Sequence, residues 1–357
     1  MEVNNLIMRE KLTKKTLILG VVGLVAIGAG SAAVLDYIGQ TEGEVNVQSA
    51  ITMNDGTETS AEANYGSDKV SGDLLMADAQ TLENVGSSIL DLSFTANESI
   101  VYSDGNVNES DPDGVDTSFL VYSQKERTAN GYDVEDSQYA VDVTPVTENV
   151  QNGEYATQIS SNGETNDYAT IWYDVEDASN ASFIEYYADS SSDSDVPGSD
   201  ELYILTESGE VYVEASSNGQ YEESVAENSS GTVIEPLDDA VFTVDEDANT
   251  QEVNPDEDEI AAVGIGYGNG NPDDTGRRVN VTIDNVRLTA SNDGDTVEQL
   301  SETEQDISSL PMLPTTEETA PFGTIRYQYQ SVTSLDNGFF TEDGNSLRVE
   351  STVQLAE

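Results

Sequence analysis

"RVNVTIDNVRLTA", residues 278 to 290, is the stretch whose reading decides the fold. Val279, Val281 and Ile283 stand two apart, with Asn280 and Thr282 between them and Asp284 following. A period of two is that of a β-strand with one buried face. Working back toward the N-terminus, "IAAVGIGYG" (260–268), "DAVFTV" (239–244), "SFIEYYA" (182–188) and "YATIWYDV" (168–175) read as strands too. "LYILTESGEVYVEA" (202–215) reads as a hairpin around Ser208 and Gly209. About seven strands at hairpin spacing predict a β-sandwich over residues 150–290.

Further back, "EVNVQSAITM" (44–53) alternates and ends in the turn signal "NDG". "SILDLSFT" (88–95), "SFLVYS" (118–123) and "YAVDVT" (139–144) follow the same pattern. They predict a first sandwich over residues 41–147, with the boundary in "TPVTENVQNGEY" (144–155). Residues 70–83 are read as a short helix. Residues 291–320 are acidic and poor in aromatics, and read as a linker. "GTIRYQYQSVT" (323–333) and "NSLRVESTVQL" (345–355) return to strands over residues 321–357. These either complete a sandwich or serve as a strand to be added to a neighbour.

Two of these segments carry resemblances. "TLENVGSSILDLSFT" (81–95) resembles a strand-and-turn signature of Ig-like surface domains; Asn84 and Gly86 would turn the chain and send Leu90, Leu92 and Phe94 into one core. "VNVTIDNVRL" (279–288) resembles the last strand of galactose-binding or concanavalin-like jelly rolls. In such modules that Asp often helps hold a structural calcium, so the resemblance makes Asp284 a calcium candidate. The oxygen-rich loops "DGNVNESDPDGVD" (104–116) and "NGNPDDTG" (269–276) lack the full EF-hand spacing.

The chain has 357 residues, with 70 acidic and 12 basic, a net charge of −58. The acids are scattered singly among apolar residues, and 17 Tyr and 7 Phe are available for burial. That is a folded protein with an acidic skin, and it resembles proteins of extreme halophiles. Salt must screen such a skin; the Debye length is about 3 Å at 1 M. Nucleic acid is excluded as a partner, since phosphates call for Lys and Arg. There is no Cys and no His. That excludes disulfides, thiol nucleophiles, His-based triads and the common zinc sites.

Thr16 to Leu35 is an uncharged apolar run, long enough to cross a bilayer. Arg9, Lys11, Lys14 and Lys15 precede it and place residues 1–15 in the cytoplasm. Residues 16–38 are therefore a membrane anchor, or a signal peptide cleaved near Ala33. "LDYIGQTEGEVNVQSAITMNDG" (35–56) resembles the start of many archaeal exported proteins. The charged residue and small residue that precede the apolar run in archaeal pilins are missing, which weighs against a filament.

The candidate site residues are few. Trp172 is the only Trp. Exposed, it would stack on a sugar; buried, it would anchor a core, and the core role is favoured because Trp172 and Tyr173 fall on opposite faces. Sequons at Asn97, Asn108, Asn180, Asn228 and Asn280 would be open to glycosylation in an exported protein.

The expected protein is all-β: a membrane helix or signal, then an Ig-like and a jelly-roll-like sandwich. It is expected to be extracellular or on the cell surface, and not an enzyme. Its work would be adhesion or binding of carbohydrate or envelope proteins, with no cofactor required beyond a possible calcium. The alternatives are a filament or virion subunit that exchanges strands, and a glycoside hydrolase using two carboxylates.

Overall fold

The computed structural model describes residues 50–356, apart from the segments 55–58, 67–72, 103–105, 111–114, 129–130, 134–140, 162–166, 191–198, 215–229, 238–239, 242–259, 269–279, 292–293, 302–306, 316–319 and 334–344. The apolar run and its flanks lie outside the described residues. So do Asn228, the loop 269–276 and part of the loop 104–116.

The described chain is all-β, in three sheets. An eleven-stranded sheet runs β1 (Ile51–Met53), β4 (Gln80–Asn84), β21 (Thr324–Thr333), β7 (Val115–Thr128), β11 (Asp167–Asp174), β17 (Ile260–Gly268), β13 (Ser199–Thr206), β14 (Val211–Glu214) and β16 (Ala240–Val241). β3 (Leu74–Met76) joins it on β21 and β8 (Gly131–Asp133) on β7. A six-stranded sheet holds β15 (Ser230–Pro236), β12 (Phe183–Asp189), β18 (Asn280–Thr289), β10 (Ala156–Ser161) and β9 (Val141–Val146), with β19 (Thr296–Gln299) on β18. A five-stranded sheet holds β2 (Ser60–Tyr65), β22 (Ser346–Leu355), β5 (Leu90–Val101) and β20 (Ile307–Met312), with β6 (Val107–Ser110) on β5.

The large sheet is the middle layer, and the alternation of its side chains shows why. Leu120, Tyr122, Ile171, Leu202, Ile204 and Ile265 join the core that contains Ile159, Ile184, Ile283 and Leu288 of the six-stranded sheet. Their neighbours Val121, Trp172, Tyr203, Leu205 and Ala262 join the core that contains Leu92, Phe94 and Met312 of the five-stranded sheet. Strands buried on both faces read as continuous apolar runs, which is how "FLVY" and "LYIL" are spelled.

Two separate sandwiches at 41–147 and 150–290 are therefore not what the chain forms. β7 from the first span pairs with β11 from the second, from Asp167↔Glu126 to Trp172↔Val121. The expected boundary at 144–155 is the turn of a hairpin, with Ala156 opposite Val146 and left-handed residues at Asn149 and Gly153. The expected linker contributes β19 and β20, and Leu310 and Met312 of β20 are buried against β5. The expected helix at 70–83 is β3 and β4 instead; Leu75 and Leu82 are fully buried, and ladder pairing with β21 overrides local propensity. β21 and β22 complete the sheets, and β22 lies between β2 and β5. It is an interior strand, not a free one for a neighbour.

The local turns follow the sequence closely. Asn84 is buried; its Nδ2 donates to the Ser88 and Met312 carbonyls at 2.9 and 3.0 Å, and its Oδ1 accepts from Gly86 N–H at 2.9 Å. Leu90, Leu92 and Phe94 then enter one core. Gly209 closes the β13–β14 hairpin at φ +83°, and a Cβ there would meet Ile89 Cδ1 at 2.1 Å.

Candidate functional site

β7 and β11 pair only as far as Trp172 and Val121. Beyond that rung β7 continues along β21 down to Val115, while β11 continues along β17 to Asp174. The middle sheet forks there, and a cavity of about 150 Å³ opens in the fork. Residues from both faces of the sheet reach it, including Ser118, Tyr173, Asp174 and Gln330, together with Asp284 and Glu298 from the six-stranded side.

Ser118 and Gln330 face each other across the β7–β21 ladder. Gln330 Nε2 donates to Ser118 Oγ at 3.1 Å, and Ser118 shares a further hydrogen bond with the Tyr155 hydroxyl. Gln330 is only 4% exposed, and its Oε1 has no hydrogen-bond partner. A buried orphan acceptor costs about 1–3 kcal/mol.

Three carboxylates border the cavity with their positions fixed by donors. Asp174 Oδ2 accepts from Ser308 N–H and Oγ–H, both at 3.1 Å. Burial pushes its pKa up, against those two bonds, and Glu176 pushes it further. Glu298 accepts from the backbone N–H groups of Glu176 and Asp177, both at 3.0 Å, one on each oxygen. Burial also raises its pKa, and the charges of Glu176 and Asp174 add to the rise.

Asp284 is 2% exposed. Its Oδ2 accepts from the backbone N–H of Gln151 and of Asn152, the latter at 3.0 Å, and its Oδ1 from Asn285 N–H at 2.6 Å. Burial raises its pKa against these three bonds. Asn285 is left-handed (φ +52°), and the register with β12 slips just past Asp284, so Asn285 and Val286 form a bulge opposite Tyr186. Asp284 thus fastens the β9–β10 turn to β18. Calcium wants six to eight oxygens; Asp284 already accepts three amide hydrogen bonds of the about four a carboxylate can take, and no group of three acidic side chains suited to a metal occurs among the described residues. The calcium expected at Asp284 does not fit this arrangement.

Trp172 borders the cavity but does not present a stacking face. It is 4% exposed, its Nε1 donates to Ser123 Oγ at 3.0 Å, and its ring meets Phe322 edge-on with centroids 5.5 Å apart. Its strand partner is Gly264, where a Cβ would lie 2.8 Å from the indole. Among the sequons, Asn97 and Asn180 are exposed and Asn280 is half-buried at the start of β18. Asn108 lies on β6, its side chain outside the described set.

Gln330 and Ser118 were not legible as site residues, because "RYQYQ" spells a strand with one wet face. Their signal is the burial of that polar face. Among the described residues no helix is long and apolar enough to cross a membrane.

Neither a protein-family model nor a curated protein matches the chain. Among solved structures it is similar to the family 11 carbohydrate-binding module of a cellulosomal cellulase of Clostridium thermocellum (15% identity, 54% of this chain and 93% of that one, TM-score 0.29). It is also similar to a carbohydrate-binding module of the β-sandwich superfamily (10%, 68% and 98%, TM-score 0.28). A third similarity is to a β-1,2-glucanase from Parabacteroides distasonis (13%, 50% and 23%, TM-score 0.30).

Proposed function

We propose that this is a non-catalytic surface or secreted protein whose fork cavity binds the hydroxyl-rich end of a carbohydrate. The observation that supports this is Gln330, which lines the cavity and carries a buried Oε1 without a hydrogen-bond partner. A sugar hydroxyl supplies the donor it lacks. The carboxylates of Asp174 and Glu298 act as further fixed acceptors, and half-buried Tyr173 lines the same cavity. The apolar run Thr16–Leu35 would deliver the domain outside or hold it at the membrane. The acidic skin would keep it soluble in concentrated salt.

The test is a neutral-glycan array probed with the purified protein in molar KCl, repeated with Gln330→Leu. Binding that is lost in the variant supports the reading. An array with no bound glycan, or one bound equally by the variant, overturns it. Intact mass of protein recovered from membrane and medium tests the location, and added sugar mass would show the sequons in use.

A further inference from the structure

The hydrogen-bond inventory of the cavity is one-sided. Several donors at and beside it are already engaged. Gln330 Nε2 is spent on Ser118, Gln299 Nε2 on the Val286 carbonyl at 3.0 Å, and the Ser308 donors on Asp174. The Glu176 and Asp177 amides are spent on Glu298. What is left over is acceptor capacity: Gln330 Oε1 has no partner, and an ionised carboxylate offers about four acceptor positions, more than Asp174 or Glu298 uses. Asp174, Glu176, Asp284 and Glu298 all line the cavity, and no Lys or Arg does.

Resting on the binding reading above, we infer that the cavity selects an amine-bearing sugar unit over its neutral and acidic counterparts. The ammonium is held by Asp174 and Glu298, and ring hydroxyls donate to Gln330. A charged donor on a carboxylate makes roughly twice as strong a hydrogen bond as a neutral pair. A cation beside Asp174 and Glu298 also offsets the desolvation of two partly buried carboxylates, which is the main reason their protons are held more tightly than usual. An acidic sugar would add a fifth negative group to the four already there.

The probes are glucosamine, glucose and glucuronate, titrated separately into the full chain in molar KCl below neutral pH. At 1 M salt the Debye length is about 3 Å, so general attraction to the acidic skin is screened and contact-range preference is kept. Trp172, the chain's only Trp, borders the cavity and reports occupancy by its fluorescence. Glucosamine is expected to bind about tenfold more tightly than glucose, a difference of one decade in Kd, with glucuronate weakest. Asp174→Asn is expected to bring glucosamine and glucose to equal affinity while glucose still binds; exposed Asp91→Asn is expected to change nothing. Equal binding of glucosamine and glucose by the wild type overturns the inference and leaves the carbohydrate site standing. No response to any of the three sugars overturns both.

Discussion

The two faces of β21 are both closed to water from Tyr327 to Gln330, and they are built on opposite terms. Ile325, Tyr327 and Tyr329 point into the cores against the five-stranded sheet. Tyr327 stands edge-on to Phe94 with centroids 5.2 Å apart, and the Tyr329 hydroxyl meets Thr117 Oγ1 at 3.2 Å. On the other face, Gln328 and Gln330 are 5% and 4% exposed, yet Gln328 Nε2 and Gln330 Oε1 have no partner. The first face accounts for stability. The second gives stability up, and it does so beside the fork cavity.

The largest effect that would break this comparison is removal of the strand that seals the first face. Deleting residues 345–357 takes away β22, which pairs with β5 along its whole length and with β2 on its other edge. No cooperative unfolding transition is expected from the deletant by circular dichroism. A folded deletant would revive a strand-exchange role.

Next in size is Trp172→Ala, expected to lower unfolding stability by about 3–5 kcal/mol as a large core truncation, read from denaturant midpoints at fixed high salt. Gly264→Ala should cost about 1–3 kcal/mol by overpacking against the same indole. If either is neutral, the dry face is not where stability resides.

The smallest effect is a matter of pH. Burial raises the folded-state pKa of Asp174. Its contribution to stability is therefore complete below its ordinary value of 3.8 and is lost as pH rises through the raised value. Asp174→Asn should flatten that part of the dependence and leave the melting temperature near neutral pH unchanged or slightly higher. A steeper slope in the variant would show that Asp174 is stabilised as a carboxylate, contrary to its burial.

How far the sequence could carry this is visible in single strands. The sequence located strands β5, β7, β9 and β12, and Asn84 with Gly86 and Ser208 with Gly209 marked turns that formed as expected. Layering was not legible, because pairing of β7 with β11 and of β21 with β4 joins residues far apart in sequence, and nothing local encodes it. That is why two sandwiches were expected where one shared sheet is found. At the site, Trp172 drew notice as an aromatic and proved to be wall. Asp284 drew notice as a ligand and proved to be an anchor for the 147–154 turn. Gln330 drew none, since a Gln alternating with Tyr looks solvent-facing until a third sheet covers it.

The most direct measurement is the denaturant midpoint of Gln330→Leu against wild type, each with and without the sugar that binds best. Gln330→Leu gives up the Nε2 donation to Ser118, worth about 0.5–1.5 kcal/mol, and relieves an orphaned buried acceptor that costs about 1–3 kcal/mol. We therefore predict a variant at least as stable as the wild type, and one whose midpoint no longer rises when sugar is added. A variant several kcal/mol less stable, or one still stabilised by sugar, would mean that Gln330 holds the fold together and that the cavity beside it is not the binding site.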